Sequence, residues 1–370
     1  MLRRTSVTPF IVALALTTSG CRRSPPFERF EAVAMGGFHA CVIASGGQVA
    51  CWGTSHEGQV GSALNPQRTP VFVAGLSNVG QLALGQAHTC ALHGDGTVSC
   101  WGRNTAGELG DGTTTSRSIP ARVGGITDAV EVAAGGMRTC VRLRGGGVRC
   151  FGLIGRGRDF VLQPREMPAL SGATQLALGS THACALLSDG TARCWGSNLR
   201  GELGDGTTED RAEPTPVKGL VGAAQLGVGG RTSCARLVDG TVRCWGYSGG
   251  FDGVGATREE VLTPGAVAGL SDVAELGLGE FHRCVRRRDG AVACWGSRFW
   301  CEIGDGVNGV GATASVPAPV TVPALPSSRQ LAVGWRQACS IGTDGSLFCW
   351  GDSVRTPTGE CLTPRRIDGR

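Results

Sequence analysis

Cysteine is the residue type with the clearest capacity for chemistry in this chain. Fourteen of the 17 cysteines fall into pairs with nine residues between the partners. The pairs are Cys41 with Cys51, Cys90 with Cys100, Cys140 with Cys150, Cys184 with Cys194, Cys234 with Cys244, Cys284 with Cys294, and Cys339 with Cys349. Thiols so arranged could ligate a metal, stay reduced in a core, or oxidise. Zinc sites use short Cys-x-x-Cys spacings, and the chain has none. Fourteen cysteines in one fixed register argue against buried free thiols. Six residues after the first cysteine of each pair stands Gly47, Gly96, Gly146, Gly190, Gly240, Gly290 or Gly345, and five of these follow an aspartate. Apolar residues flank this Asp-Gly, so each segment reads as a β-hairpin with glycine in the left-handed position of its tip. If Asp95 sits at the tip, Cys90 opposes Cys100 and Leu92 opposes Val98. Opposed residues in an antiparallel pair have Cα atoms roughly 4.5–5.5 Å apart, within disulfide reach. The spacing predicts seven cross-strand disulfides and, with them, an oxidising compartment.

Other candidate chemistry fails in context. Gly246-Tyr247-Ser248-Gly249-Gly250 matches a nucleophile elbow, but glycine-rich sequence follows where that motif needs a helix. Gly304-Asp305-Gly306-Val307-Asn308-Gly309 matches a dinucleotide fingerprint, again with no helix after it. The single lysine, Lys218, precedes Gly219 rather than Ser or Thr, which excludes a P-loop. His39, His88, His182 and His282 each stand two residues before a first cysteine. Spread over separate repeats, they are expected to hydrogen-bond locally rather than share a metal. No cofactor and no enzymatic activity are expected; an envelope hydrolase is the alternative. The net charge of +5 comes from scattered arginines with one run, Arg286-Arg287-Arg288, so no nucleic-acid partner is expected.

These hairpins need elements to position them. Successive pairs begin 49, 50, 44, 50, 50 and 55 residues apart, an internal repeat. The 44-residue step reflects a shortened stretch from Gly155 to Val161. One further strand per repeat ends in a glycine five residues before the first cysteine, as in Gln81-Leu82-Ala83-Leu84-Gly85. Another follows a proline, as in Pro70-Val71-Phe72-Val73. Four strands in each of seven repeats imply an all-β chain, a seven-bladed β-propeller. Residues 30–370 form this one domain, its ring closed by pairing strands from the two termini: Phe30-Glu31-Ala32-Val33 and Pro364-Arg365-Arg366-Ile367. With 61 glycines but no Gly-X-Y period, collagen is excluded; with 41% apolar and 18% charged residues, so is disorder.

The string His88-Thr89-Cys90-Ala91-Leu92, Asp95-Gly96-Thr97-Val98, Trp101-Gly102-Arg103-Asn104 and Gly107-Glu108-Leu109-Gly110-Asp111-Gly112-Thr113 resembles the regulator of chromosome condensation repeat. It recurs from His182 through Gly201-Glu202-Leu203-Gly204-Asp205-Gly206-Thr207, and Trp-Gly or Phe151-Gly152 ends all seven hairpins. The resemblance implies a seven-bladed propeller. By analogy it also implies guanine-nucleotide exchange on a small GTPase, a partner that an exported chain would not meet. Exported bacterial members look like protein-binding modules.

Export is expected from the N-terminus. Basic Leu2-Arg3-Arg4, apolar Phe10 to Leu16 and small residues before Cys21 form a signal peptide over residues 1–20. Cys21 then resembles a lipobox cysteine, with residues 21–29 as lipidated tether, which gives a bacterial envelope lipoprotein held at the membrane. Cys301 stands where other repeats have Gly107 and Gly201, and Cys361 lies in the corresponding loop of the next repeat. These two are expected to bond blade to blade.

Two residues vary freely between the inner-strand glycine and the histidine position. They are Gly37-Phe38, Gln86-Ala87, Gly136-Met137, Ser180-Thr181, Gly230-Arg231, Glu280-Phe281 and Trp335-Arg336. Repeat geometry places all seven pairs around one mouth of the channel. Phe38, Met137, Arg231, Phe281, Trp335 and Arg336 are interface-type residues, and Phe299-Trp300 stands out in the loop after Trp295-Gly296. Together they are the expected surface for a protein or peptide partner on a monomer.

Overall fold

The structure, a computed structural model, describes residues 29–62, 65–154, 159–247, 260–309, 314–352 and 361–367. In the first repeat, β1 (Phe30–Met35), β2 (His39–Ala44), β3 (Gln48–Gly53) and β4 (Gln67–Phe72) pair in that order into one antiparallel sheet. The same unit recurs over 79–122, 129–166, 173–216, 223–266, 273–321 and 328–366, giving seven four-stranded blades. The first strand of each blade packs against the first strand of the next, and the last against β1, so these strands ring a central channel.

The hairpins have the register that the cysteine spacing predicts. In the second blade Cys90 faces Cys100 and Leu92 faces Val98, and in the first Cys41 faces Cys51. The same opposition holds for Cys140 with Cys150, Cys184 with Cys194, Cys234 with Cys244, Cys284 with Cys294, and Cys339 with Cys349. All seven pairs form cross-strand disulfides, with Cα atoms 4.0–4.1 Å apart. That separation is shorter than the roughly 4.5–5.5 Å expected of opposed strand residues. The tip glycines have φ between +71° and +87°. At Gly96 an added Cβ would also sit 2.8 Å from the Thr127 carbonyl oxygen. Asp95 stabilises its tip by accepting from the Thr97 amide (3.0 Å) and hydroxyl (2.6 Å). Each disulfide then joins an apolar core shared by two blades. Cys90, Cys100 and Leu109 of the second blade pack with Val132, Val141 and Phe151 of the third.

In the first six blades the prolines fall inside the outermost strands rather than ahead of them, as Pro70 does in β4, whereas Pro364 stands just ahead of Arg365–Arg366. An outermost strand pairs on one side only, so the missing N–H leaves no ladder bond broken.

Ring closure departs from the expectation. Among the described residues no sheet draws strands from both termini: β1 opens a blade completed by β4, and Arg365–Arg366 pairs with Leu347–Gly351 of the last blade. The proline strand completes the blade of the hairpin before it, so Arg365–Arg366 belongs to the seventh blade. The first and last blades instead meet face to face. Phe30, Val33 and Val42 pack on Ile341 and Leu347, and the Phe30 amide donates to the Gly345 carbonyl (3.2 Å).

A side-chain clasp spans this seam and recurs around the ring. Gln330 accepts from the Val33 amide (3.1 Å) and donates to the Val33 carbonyl (3.2 Å). At the equivalent position Gln175 clasps Leu226 and Gln225 clasps Leu276 by the same two bonds. Gln81, Glu131 and Glu275 each accept one amide, from Val132, Leu176 and Leu331. Where the clasp is a glutamate, an arginine of the neighbouring strand neutralises it: Arg142 on Glu131 (2.8 Å) and Arg286 on Glu275 (2.9 Å). Ala32 holds this position in the first blade and has no side chain to reach with.

The Cys301–Cys361 disulfide forms between the sixth and seventh blades, with Cα atoms 5.2 Å apart. Cys301 keeps the positive φ (+65°) of the glycines it replaces, +83° at Gly107 and +82° at Gly201. Residues 1–28, on which the expected signal peptide, the Cys21 anchor and most of the expected tether fall, lie outside the described residues, as do Ser248 and residues 155–158.

Candidate partner-binding face

The polar residues of the repeat motif are spent on the scaffold. Asn104 is buried in its loop, accepting from the Leu109 amide (3.0 Å) and donating to Asp111 and to Thr113. Asn198 repeats the pattern with Leu203, Asp205 and Thr207. Glu108 is also buried, held by Arg103 (2.8 Å) and the Ala106 amide (2.7 Å). The Gly304 and Gly306 turn, with φ of +75° and +76°, is the same loop in the sixth blade.

The four histidines are buried, and three of them link blades. His39, His88 and His182 lie 2.8, 2.9 and 2.8 Å from the hydroxyls of Thr89, Thr139 and Ser233 in the following blade. Each hydroxyl donates its one proton to a main-chain carbonyl, of Gln59, Glu108 or Glu202. The imidazole Nε2 must therefore carry the proton it donates to that hydroxyl. Burial, with a neighbouring positive or histidine charge second, holds all four imidazoles down at about 3. Among the described residues no group of His, Cys, Asp and Glu could hold a metal ion. Access is just as restrictive: at Gly85, which ends an inner strand, an added Cβ would meet the His88 ring at 2.1 Å.

What remains free lies in the two-residue links. The backbone turns tightly here, with the Gly36 amide on the His39 carbonyl (2.9 Å) and the Gly85 amide on that of His88 (2.9 Å). Neighbouring links bond to one another, as Glu280 N to Trp335 O (3.2 Å) and Trp335 N to Gly36 O (3.3 Å). First members of the pairs, Gly37, Ser180, Gly230, Glu280 and Trp335 among them, line the channel cavity of about 300 Å³. Second members stand on the blade tops: Phe38 is 39% exposed and Phe281 40%, and Arg231 is exposed.

The structure brings four of the expected residues together at the sixth, seventh and first blades. Phe38 meets Trp335 edge-on, ring centroids 5.3 Å apart. The Arg336 guanidinium lies 4.2 Å from the Trp300 ring centre and 5.8 Å from that of Phe38. Phe299, 60% exposed, and Phe281 belong to the same sector through the sixth blade. Met137, half-buried in the third blade, and Arg231 in the fifth stand apart from it.

Beside the cluster, a second cavity of about 300 Å³ opens at the closing seam, lined by Phe38, Trp52, Arg68, Arg336 and Asp352. Trp52 keeps 7% of its surface exposed, whereas the other six Trp or Phe at hairpin ends keep 0–1%. One functional group escaped the sequence reading. Glu280 reaches across the mouth to the fourth blade, where Ser180 Oγ donates to its carboxylate (2.6 Å). Its signal was available: Glu280 is the one acidic residue among the fourteen link positions.

Fold and face define a disulfide-pinned seven-bladed propeller with a variable sector at one channel mouth. Matches to the regulator of chromosome condensation (RCC1) repeat cover residues 30–59, 71–108 and 173–202 in one form and 95–142 and 189–236 in another. The chain belongs to the RCC1 repeat family. Among solved structures, Prp20p from Saccharomyces cerevisiae is similar with a TM-score of 0.77 at 23% identity, over 86% of this chain and 85% of that one. Yeast RCC1 (Prp20) bound to Kap60 gives 0.75 at 20%, over 97% and 91%. Human WBSCR16 gives 0.73 at 20%, over 83% and 85%. At these identities the likeness establishes the fold. No curated protein matches the chain in sequence at a significant level.

Proposed function

We propose that this protein is a membrane-anchored, extracytoplasmic binding scaffold, monomeric and without enzymatic activity, that recognises a protein or peptide partner through the variable face. The observation that carries this reading is the sector of Phe38, Trp335, Arg336 and Trp300 beside the channel mouth. Aromatic and arginine side chains held rigidly around concave openings supply contact area at little entropic cost, as interface hot spots do. Eight disulfides favour an oxidising compartment outside the cytosol. Among the described residues no helix is long and apolar enough to cross a membrane, consistent with attachment through acylated Cys21. A similar fold in Prp20p has described binding properties towards Gsp1p and histones, which supports protein binding as a use of such a propeller.

The test is affinity capture from an envelope fraction with the wild type and with Trp335→Ala and Phe281→Ala. Each variant is expected to stay folded and oxidised yet lose the partner, by roughly 30-fold in affinity for a hot spot of about 2 kcal/mol. Capture unchanged in both variants overturns the site. Partition of the mature protein into the aqueous phase on detergent separation overturns the anchor.

A further inference from the structure

At the opposite mouth of the channel, the clasp positions and the strand beside them set up an imbalance of charge. The second strand of each blade places one residue in register with the clasp: Arg142 opposite Glu131, Arg286 opposite Glu275, and Arg236 opposite Gln225. In the first two cases the carboxylate neutralises the arginine. In the fifth blade the acid is replaced by an amide, and both ends of that amide are occupied by Leu276. Arg236 is thus left without a carboxylate among the described residues. Its guanidinium reaches only the Leu237 and Ala224 carbonyls, each at 3.5 Å, and its Nε is buried with no partner. Burial and the charge of Arg288 both pull Arg236 below the usual arginine range, as expected for a cation lacking compensation.

Arg236 does not stand alone. It lines a cavity of about 490 Å³ together with Gln225, Glu275, Arg286 and Arg329, so three arginines face one carboxylate there. Arg329 is fixed by donating to the Phe30 and Glu31 carbonyls, and Arg286 by Glu275. The guanidiniums are thereby held in place before any ligand arrives. Arginine's planar fork suits oxyanions, which accept from two of its N–H groups at once.

We propose that this mouth binds a phosphate-class oxyanion, with Arg236 as its principal ligand and Arg286 and Arg329 completing the positive wall. Three positive charges and one negative leave a surplus of two, which a phosphate monoester, at about −1.5 to −2 near neutral pH, offsets where a carboxylate would not. The site is independent of the partner-binding face, since it lies at the other end of the channel.

The test uses the full oxidised chain and inorganic phosphate at low ionic strength, where such contacts are least screened. Calorimetric titration compares the wild type, Arg236→Gln and Arg122→Gln, the last an exposed arginine away from the cavity. Arg236→Gln is expected to weaken phosphate about tenfold or more, the loss of a charge-assisted pair, while Arg122→Gln leaves it unchanged. Arg236 makes no ion pair, so the melting temperature of Arg236→Gln should match the wild type and separate lost binding from lost fold. No phosphate binding, equal loss in both variants, or acetate binding as tightly as phosphate each overturns the proposal. Cosedimentation with vesicles of phosphatidic acid in phosphatidylcholine, against phosphatidylcholine alone, then distinguishes the source. Arg236-dependent binding to the acidic vesicles identifies a lipid headgroup, and phosphate binding without it a soluble phosphate.

Discussion

Gln330→Ala is expected to open the ring at one defined place. Among the described residues no strand is shared between the first and last blades, and the Gln330 side chain clasps the Val33 main chain across the seam by two bonds, at 3.1 and 3.2 Å, beside the Arg329 bonds to Phe30 and Glu31. Truncation strands a buried N–H and a buried C=O. At about 1–3 kcal/mol for each orphaned group, the local cost is roughly 2–6 kcal/mol. Gln81→Ala strands only the Val132 amide, so about half that is expected at the interface of the second and third blades. Gln330→Glu should be worse than Gln330→Ala at neutral pH. It loses the donor to Val33 and faces Ile341, where the natural glutamate clasps face arginines. Because every blade is pinned by its own disulfide, the loss should appear as local opening before global unfolding. Amide hydrogen exchange under non-reducing conditions reads it directly. Exchange at Val33 should accelerate about 30-fold or more, the equivalent of 2 kcal/mol. If Val33 protection is unchanged, closure is carried by the apolar contacts of Phe30 and Val33 with the main-chain and Arg329 bonds, and the clasp has no energetic role at the seam.

Three further outcomes follow from the links between blades. His282 has both ring nitrogens buried and unpartnered because Ala338 stands where other blades supply Thr or Ser. Ala338→Ser should therefore stabilise by about 0.5–1.5 kcal/mol in denaturant melts, since in the fifth blade the Glu202 carbonyl already accepts both Ser233 Oγ and Trp245 Nε1. Four imidazoles held at about 3 stay neutral in the fold while those of the unfolded chain protonate. Their contribution is full above about pH 6.5 and is lost as pH falls from there towards 3, so His282→Gln should flatten the dependence of stability on pH in that window. Cys301→Ser frees a loop of 60 residues and is expected to lower non-reducing stability by up to about 4 kcal/mol in the loop-entropy account. A melting curve identical to the wild type would show that blade packing alone holds the sixth and seventh blades.

How much was legible in the residues depended on whether a contact lay within a repeat or between repeats. The hairpin register could be read because Cys90, Asp95 and Cys100 belong to one local unit with one geometric solution. Cys301 and Cys361 were legible as the leftover pair in equivalent loops of successive repeats. The histidine links were not, because each couples one repeat to the next: His39 with Thr89, His88 with Thr139, His182 with Ser233. Aligning repeats column by column compares His39 with His88 and never His39 with Thr89. The same blindness misassigned closure. A proline strand sits equally well in sequence before the next inner strand or after its own hairpin, and only the pairing of Cys51 with Val71 decides for the second. On the candidate face, the bridge between Glu280 and Ser180 was hidden for the same reason, since it spans the channel between non-adjacent blades.

That division also explains why the repeat motif is silent about function. Its asparagines, glutamates, aspartates and histidines are the residue types that carry chemistry elsewhere, yet here each is buried or saturated by its own loop or by the adjacent blade. Satisfied polar groups have nothing left to offer a ligand, since any new bond would first have to break an existing one. Binding must therefore fall to groups that the repeats do not share. Glu280, Trp335 and Arg336 at one mouth and Arg236 at the other meet that condition by different routes. The first three occupy link positions whose residue type changes from repeat to repeat, and Arg236 faces Gln225 where Arg142 and Arg286 face glutamates. In a ring whose shared residues hold blades together, the departures from the repeat are the places where an outside molecule can be held.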